Sequence, residues 1–122
     1  MTKKITIAID AMGGENSPKK NIEGLNMFLK KNKSNDFFIH LYGDEERIKK
    51  ELLLVNASTD KIKIVHSEGV VSDEESPMKA VKSSKNTSMW NSVSSQVNGD
   101  ADITLSAGNT GVLLVISRMI LK

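Results

Sequence analysis

The chain has 122 residues, 17 Lys and Arg against 15 Asp and Glu for a net charge of +2, 39% apolar and 26% charged residues, and no cysteine. One domain of this size buries about two-thirds of its unfolded surface, so a real core is available, and disorder or a collagen-like chain is excluded. Disulfides, thiolate metal sites and cysteine nucleophiles are excluded with cysteine itself.

The first elements are read from periodicity. Residues 5–9 (Ile-Thr-Ile-Ala-Ile) are β-branched or small and precede Gly13 and Gly14, which predicts a buried strand. From Pro18 the pattern turns helical, with Ile22, Leu25, Phe28 and Leu29 on one face, Ser17 as the expected N-cap and Pro18 at the first helical position. Residues 37–42 form a second strand ended by Gly43 and Asp44. Asp44 then caps a helix whose stripe is Ile48, Leu52 and Val55 and which closes near Asn56.

Residues 61–66 predict a third strand, followed by an irregular acidic stretch over 70–76 containing Asp73, Glu74 and Glu75. Pro77 opens a helical region through Met78 and Val81, and Lys85 with Asn86 breaks it. Helical spacing resumes with Met89 or Trp90, Val93 and Val97 until Gly99. Residues 101–106 are a fourth strand, and Gly108, Asn109, Thr110 and Gly111 lead into a final helix. Four alternations of strand and helix predict βαβ units: an α/β, Rossmann-like, doubly wound and mostly parallel sheet. No repeat or linker divides it. The basic residues are scattered beside acids such as Glu45, Glu46 and Glu51, with only two Arg, so no nucleic-acid footprint emerges.

No targeting segment is expected. The apolar run at residues 5–9 meets Asp10 after five residues, short of the roughly 7–15 of a signal peptide. Residues 112–121 contain Ser117 and Arg118 and fall short of the roughly 20 of a spanning helix. The expectation is a soluble, cytoplasmic chain.

In open parallel sheets ligands bind beyond the carboxyl ends of the strands. Those ends carry Asp10 with Gly13 and Gly14, then Gly43 and Asp44, then His66 and Ser67, then Ser106, Gly108, Asn109, Thr110 and Gly111. The last set enters a helix directly, where free N–H groups and the helix dipole suit an anion such as phosphate; ordinary capping by Asn109 and Thr110 is the alternative. Asp10 could likewise only orient its own turn. Neither G-x-G-x-x-G nor G-x-x-x-x-G-K-[ST] occurs, so dinucleotides and nucleoside triphosphates are unsupported. His40, mid-strand, reads as structural, whereas His66 ends a strand on the ligand side. No spacing suggests a metal. The run Lys82, Ser83, Ser84, Lys85, Asn86, Thr87, Ser88 places cations and hydroxyls at a helix break, either to neutralise phosphate or as a solvated loop.

Taken together, Ile7-Ala8-Ile9-Asp10-Ala11-Met12-Gly13-Gly14, Gly43-Asp44, Pro77, Ala80, Lys85-Asn86-Thr87-Ser88-Met89, Gly99, Ala101-Asp102 and Ser106-Ala107-Gly108-Asn109-Thr110-Gly111 resemble the amino-terminal part of the bacterial phosphate acyltransferases. The resemblance implies a fold like the isocitrate dehydrogenase and phosphotransacetylase group, with residues 1–122 the amino-terminal part of a single α/β acyltransferase domain. It implies transfer of a fatty acyl chain from acyl carrier protein to inorganic phosphate in phospholipid synthesis, without cofactor or metal. A homodimer with peripheral membrane contact is also implied. Site residues implied are Ser106, Gly108, Asn109, Thr110 and Gly111 for phosphate, Asp10, Gly13 and Gly14 as the facing wall, and Lys85 with Ser88 as support. No general acid or base is assigned. Glu15, Thr87 and Lys82 stand where the family usually has Asp, Ser and Arg, and Lys cannot make the bidentate contact of Arg.

Family members are much longer than this chain. Val112, Leu113, Leu114, Val115, Ile116, Met119, Ile120 and Leu121 also make the last helix apolar nearly all round, which predicts exposed apolar surface. Three functions stay open: an acyltransferase, an inactive amino-terminal fragment, and a stand-alone phosphate- or acyl-binding module.

Overall fold

The computed structural model describes residues 4–72, 76–82 and 84–121. The expected Asp73, Glu74 and Glu75 of the acidic stretch, and Ser83 of the polar run, lie outside the described residues. The elements are β1 (Ile5–Asp10), α1 (Lys19–Lys31), β2 (Phe37–Gly43), α2 (Glu45–Leu54), β3 (Ile62–His66), α3 (Pro77–Lys82), α4 (Ser88–Val97), β4 (Ile103–Ser106) and α5 (Thr110–Leu121). The four strands are parallel in the order β3-β2-β1-β4. The chain winds outward from β1 to β3, then crosses back to place β4 on the other side of β1, which bears out the doubly wound expectation. The reversal between β1 and β4 is where such sheets open a crevice.

Each face of the sheet has its own core. On one, Ile22 and Leu25 of α1 and Ile48 and Leu52 of α2 pack on Phe37, Ile39 and Leu41. Burying each of these large side chains contributes about 1.5–3 kcal/mol. On the other, Ala8, Tyr42 and Ala101 sit beneath α4. Ser88, Ser92 and Ser95 are all buried on α4. Ser92 and Ser95 return their hydroxyls to the carbonyls of Met89 and Ser92, at 3.0 and 2.6 Å. Small, self-satisfied side chains let that helix lie close to the strands. Met89 and Val93 then pack outward on Val112 and Ile116 of α5.

Local signals held where partners are near in sequence. Asp44 caps α2 as expected by accepting from the Arg47 N–H; Thr87, not among the expected caps, caps α4 by accepting from the Trp90 N–H. Three expectations change. Ser17 does not cap α1; Pro18 takes that position, and the Ser17 hydroxyl instead reaches the carbonyls of Gly13 and Gly14 at 2.5 and 2.9 Å. Val97, expected on the apolar stripe of α4, is 56% exposed. Phe28 is 41% exposed, touching Phe37 edge-on at 5.3 Å while its outer face borders a groove beside β4. The expected apolar exposure on α5 is present: Leu114 is 71% and Met119 48% exposed. Among the described residues no helix is long and apolar enough to cross a membrane.

Gly24 lies inside α1, and a Cβ built there meets nothing within 4 Å. Gly24→Ala is therefore expected to stabilise the fold by about 0.5–1 kcal/mol, read as a raised denaturant midpoint with unchanged slope.

Candidate functional site

β1 and β4 end side by side, Asp10 in register with Ser106. Both side chains point to the α4 face, where Ser88 opens that helix. Asp10 is 2% exposed. Its Oδ1 accepts from the Ser88 hydroxyl at 2.5 Å and the Met12 N–H at 3.2 Å, and its Oδ2 accepts from the Ser106 hydroxyl at 2.8 Å. One carboxylate thus joins the first strand to residues 78 and 96 positions away. Ser106 Oγ also accepts from the Gly108 N–H at 3.1 Å, passing the network into the second turn.

Burial pushes the Asp10 carboxyl above its usual range, and the hydrogen bonds from Ser88, Ser106, Met12 and Gly13 only partly offset it. The folded state therefore binds the proton more readily than the unfolded chain. Stability falls as pH rises from the unfolded midpoint through the folded one, and is flat above both.

The glycines here are required by each other. A Cβ on Gly13 would lie 2.7 Å from Asp10 Oδ2 and 2.8 Å from the Gly108 nitrogen. A Cβ on Gly108 would lie 2.8 Å from Met89 Cε. Gly14 has φ +90°, a left-handed conformation suited to glycine. Gly111 clears Pro77 of α3, whose Cγ would be 2.5 Å from a Cβ. The two glycine turns are pressed together, so bare backbone serves their mutual contact before any ligand approach.

The α5 start has partly used its capping groups. Asn109 Oδ1 accepts from the Val112 N–H at 3.2 Å, and its Nδ2 donates to the Ser72 carbonyl at 3.2 Å. Among the described residues the N–H groups of Thr110 and Gly111 meet no protein acceptor, as expected of the first positions of a helix. Thr110 is exposed, and so is Lys85 in the loop before α4. Ser88 is fully buried and faces Asp10.

His66 lies apart from this cluster. Its Nδ1 accepts from the Glu45 N–H at 3.1 Å and its Nε2 meets Glu68 at 3.2 Å, so it helps fix the start of α2. His40 is half-buried mid-strand, its imidazole pushed down by burial and by Lys63. Among the described residues no group of three His, Asp or Glu could hold a metal.

Periodicity missed two clamps. Asn21 donates to the carbonyls of Ala11 and Gly13 at 2.8 and 2.9 Å, and Arg47 donates to the Ser17 carbonyl at 3.1 Å. Asn21 had a signal available: an amide in the first turn of a helix points back over the preceding loop.

Two outcomes are expected. Gly13→Ala must separate the two turns and costs about 1–3 kcal/mol, read from the shift in denaturant midpoint. Ser88→Ala removes a donor to a charged group, costing about 1.5–3 kcal/mol at neutral pH, and moves the Asp10 carboxyl midpoint further upward in a carbon-detected NMR titration.

The family described as fatty acid synthesis protein matches residues 5–122. A phosphate acyltransferase of Pelagibacter ubique is 45% identical over 122 residues, covering 100% of this chain and 35% of that protein. One from Streptococcus uberis is 44% identical over 108 residues, covering 88% and 30%, and one from Streptococcus pneumoniae is 39% identical over 108, covering 88% and 31%. The chain spans about a third of the length of these relatives. With its whole sheet and both glycine turns inside the matched region, the chain belongs to the fatty acid synthesis protein family, among relatives named phosphate acyltransferase.

Proposed function

We propose that these residues form the phosphate-binding part of an acyltransferase that moves a fatty acyl group from acyl carrier protein to inorganic phosphate. The observation carrying this reading is the pair of N–H groups at Thr110 and Gly111, without protein acceptors among the described residues and next to the Asn109 cap. A phosphate there gains from two donors and from the positive end of α5. Lys85 supplies mobile positive charge. Ser106 and Gly108 position the turn, and Asp10, Gly13 and Gly14 shape the facing wall. Ser88 acts through Asp10 and does not reach the anion.

In the reaction a phosphate oxygen attacks the thioester carbonyl. A C–O bond forms, the C–S bond breaks, and the carrier thiolate leaves to take up a proton. Held phosphate makes the attack effectively unimolecular, and no covalent enzyme nucleophile is needed. Residues 1–122 belong to a single α/β acyltransferase domain in this reading. It works in the cytoplasm as a homodimer with peripheral membrane contact, and its product feeds phospholipid synthesis.

A second reading, phosphate binding without transfer, is favoured by the same geometry: anion donors are present, while no side chain among the described residues is placed as acid or base toward them. Incubation with palmitoyl-acyl carrier protein and inorganic phosphate separates the two. Phosphate-dependent release of carrier thiol establishes transfer; saturable amide shifts at Thr110 and Gly111 without thiol release leave binding alone; no response to phosphate removes both. Lys85→Ala is expected to weaken phosphate binding roughly two- to fivefold, less at high salt, with no change in stability.

A further inference from the structure

α4 ends at Val97, and the chain turns through Asn98, Gly99 and Asp100 before Ala101 leads it toward β4. Asn98 and Gly99 make the one Asn-Gly pair in the sequence. Asn98 holds the C-cap with φ −74° and ψ −6°, and Gly99 follows at φ +83°. All three turn residues are exposed. A Cβ built on Gly99 meets nothing within 4 Å, so the turn has open space beside it.

The hydrogen bonds of this turn leave two groups out. The Asn98 N–H donates to the Ser94 carbonyl at 3.0 Å, and the Asp100 and Ala101 N–H groups share the Ser95 carbonyl at 2.9 and 3.2 Å. Among the described residues the Asn98 carboxamide and the Gly99 N–H meet no partner. Other asparagines are held. Asn91 donates to the Ser67 hydroxyl at 3.0 Å and Asn109 to the Ser72 carbonyl at 3.2 Å. After Asn56 and Asn86 the following N–H is taken instead, by the carbonyls of Leu52 and Ser84.

We propose that Asn98 is a site of spontaneous covalent modification, its carboxamide lost to attack by the Gly99 nitrogen. That nitrogen gives its proton to solvent base and bonds to Asn98 Cγ. The Cγ–Nδ2 bond breaks, ammonia leaves with a proton from water, and a cyclic imide remains. Water then opens the imide at one carbonyl or the other, giving aspartate or isoaspartate. No oxidant, reductant or cofactor enters. Glycine on the attacking side has no Cβ to obstruct ring closure. The fraying end of a helix allows the rotation about ψ that closure needs, and neither reacting group has to break a hydrogen bond first.

The product acts on β4. Aspartate puts negative charge at the C-terminal end of α4, beside Asp100, where the helix dipole disfavours it. Isoaspartate also adds a backbone atom to a turn that is tightly fitted from there on. Ala101 is buried, and Asp102 and Thr6 exchange hydrogen bonds at 2.8 and 2.9 Å. Slack here loosens the entry to the strand that carries Ser106 to Asp10.

The test ages the folded chain at mildly alkaline pH and digests it with trypsin. Residues 86–118 leave as one peptide carrying Asn86, Asn91, Asn98 and Asn109, so three asparagines serve as internal references. Fragment masses are expected to show amide-to-acid conversion at Asn98 about tenfold faster than at the other three. Isoaspartyl methyltransferase should label the aged chain, and Asn98→Gln should abolish the label. The labelled fraction should unfold at lower denaturant, with shifted amides at Thr6 and Asp102. Conversion at Asn98 no faster than at Asn91 would overturn the proposal, and this wild-type ratio decides without any variant. A label that survives Asn98→Gln overturns it as well. Unmoved Thr6 and Asp102 amides in the labelled fraction would leave the modification standing and remove its effect on β4.

Discussion

The structure depends on a carboxylate held out of water. Asp10 cannot be buried without donors, and its own turn supplies only part of what its two oxygens require. Ser88 and Ser106 supply the rest from α4 and β4. Meeting that need fixes where the crossover helix begins and where the fourth strand ends. The close contact of the two glycine turns follows, because Asp10 Oδ2 and the Gly108 nitrogen already fill the space a side chain on Gly13 would take.

The same carboxylate limits what the site can do. Burial outweighs its four hydrogen bonds, leaving Asp10 more easily protonated than a free carboxyl. A carboxylate that still ionises beside a phosphate dianion would repel it, so the contribution of Asp10 is geometric. In the proposed phosphate site, attraction has to come from elsewhere: the open N–H groups of Thr110 and Gly111, and the positive charge of exposed Lys85. In the proposed site, framework and binding donors are thus separate groups.

How much was legible follows from distance along the chain. The strands, the Asp44 cap and the break at Asn86 are local matters of β-branching, side-chain oxygens and a left-handed residue, and the sequence carries them openly. Motif resemblance picked out Asp10, Ser88 and Ser106 but not their relation: Ser88 reads as support for a ligand, and only folding shows its hydroxyl turned inward to Asp10. Periodicity could not see partners 78 or 96 residues apart. Ser17 was misread for a related reason. A serine before a proline-led helix offers the usual cap, but the tight turn behind it presents the Gly13 and Gly14 carbonyls at closer range. Phe28 fits the apolar stripe of α1 by spacing, yet the strand it would have covered lies one position beyond the helix's reach.

β4 shows how four residues can serve two chemistries. Alternation along a strand sends Thr104 and Ser106 toward α4, where Thr104 donates to the Ser92 carbonyl at 3.1 Å and Ser106 holds Asp10. It sends Ile103 and Leu105 to the opposite face, where both are exposed and Leu105 lines the groove beside α1. Polar positioning and apolar surface therefore share a single backbone, and neither can move without the other. A one-residue slip of β4 against β1 would turn hydroxyls into the groove and aliphatic side chains onto a buried carboxylate, stripping Asp10 of a donor at the same time as it made the groove polar. The hydrogen bond from Ser106 to Asp10 thus sets the register on which the apolar face of the strand also relies.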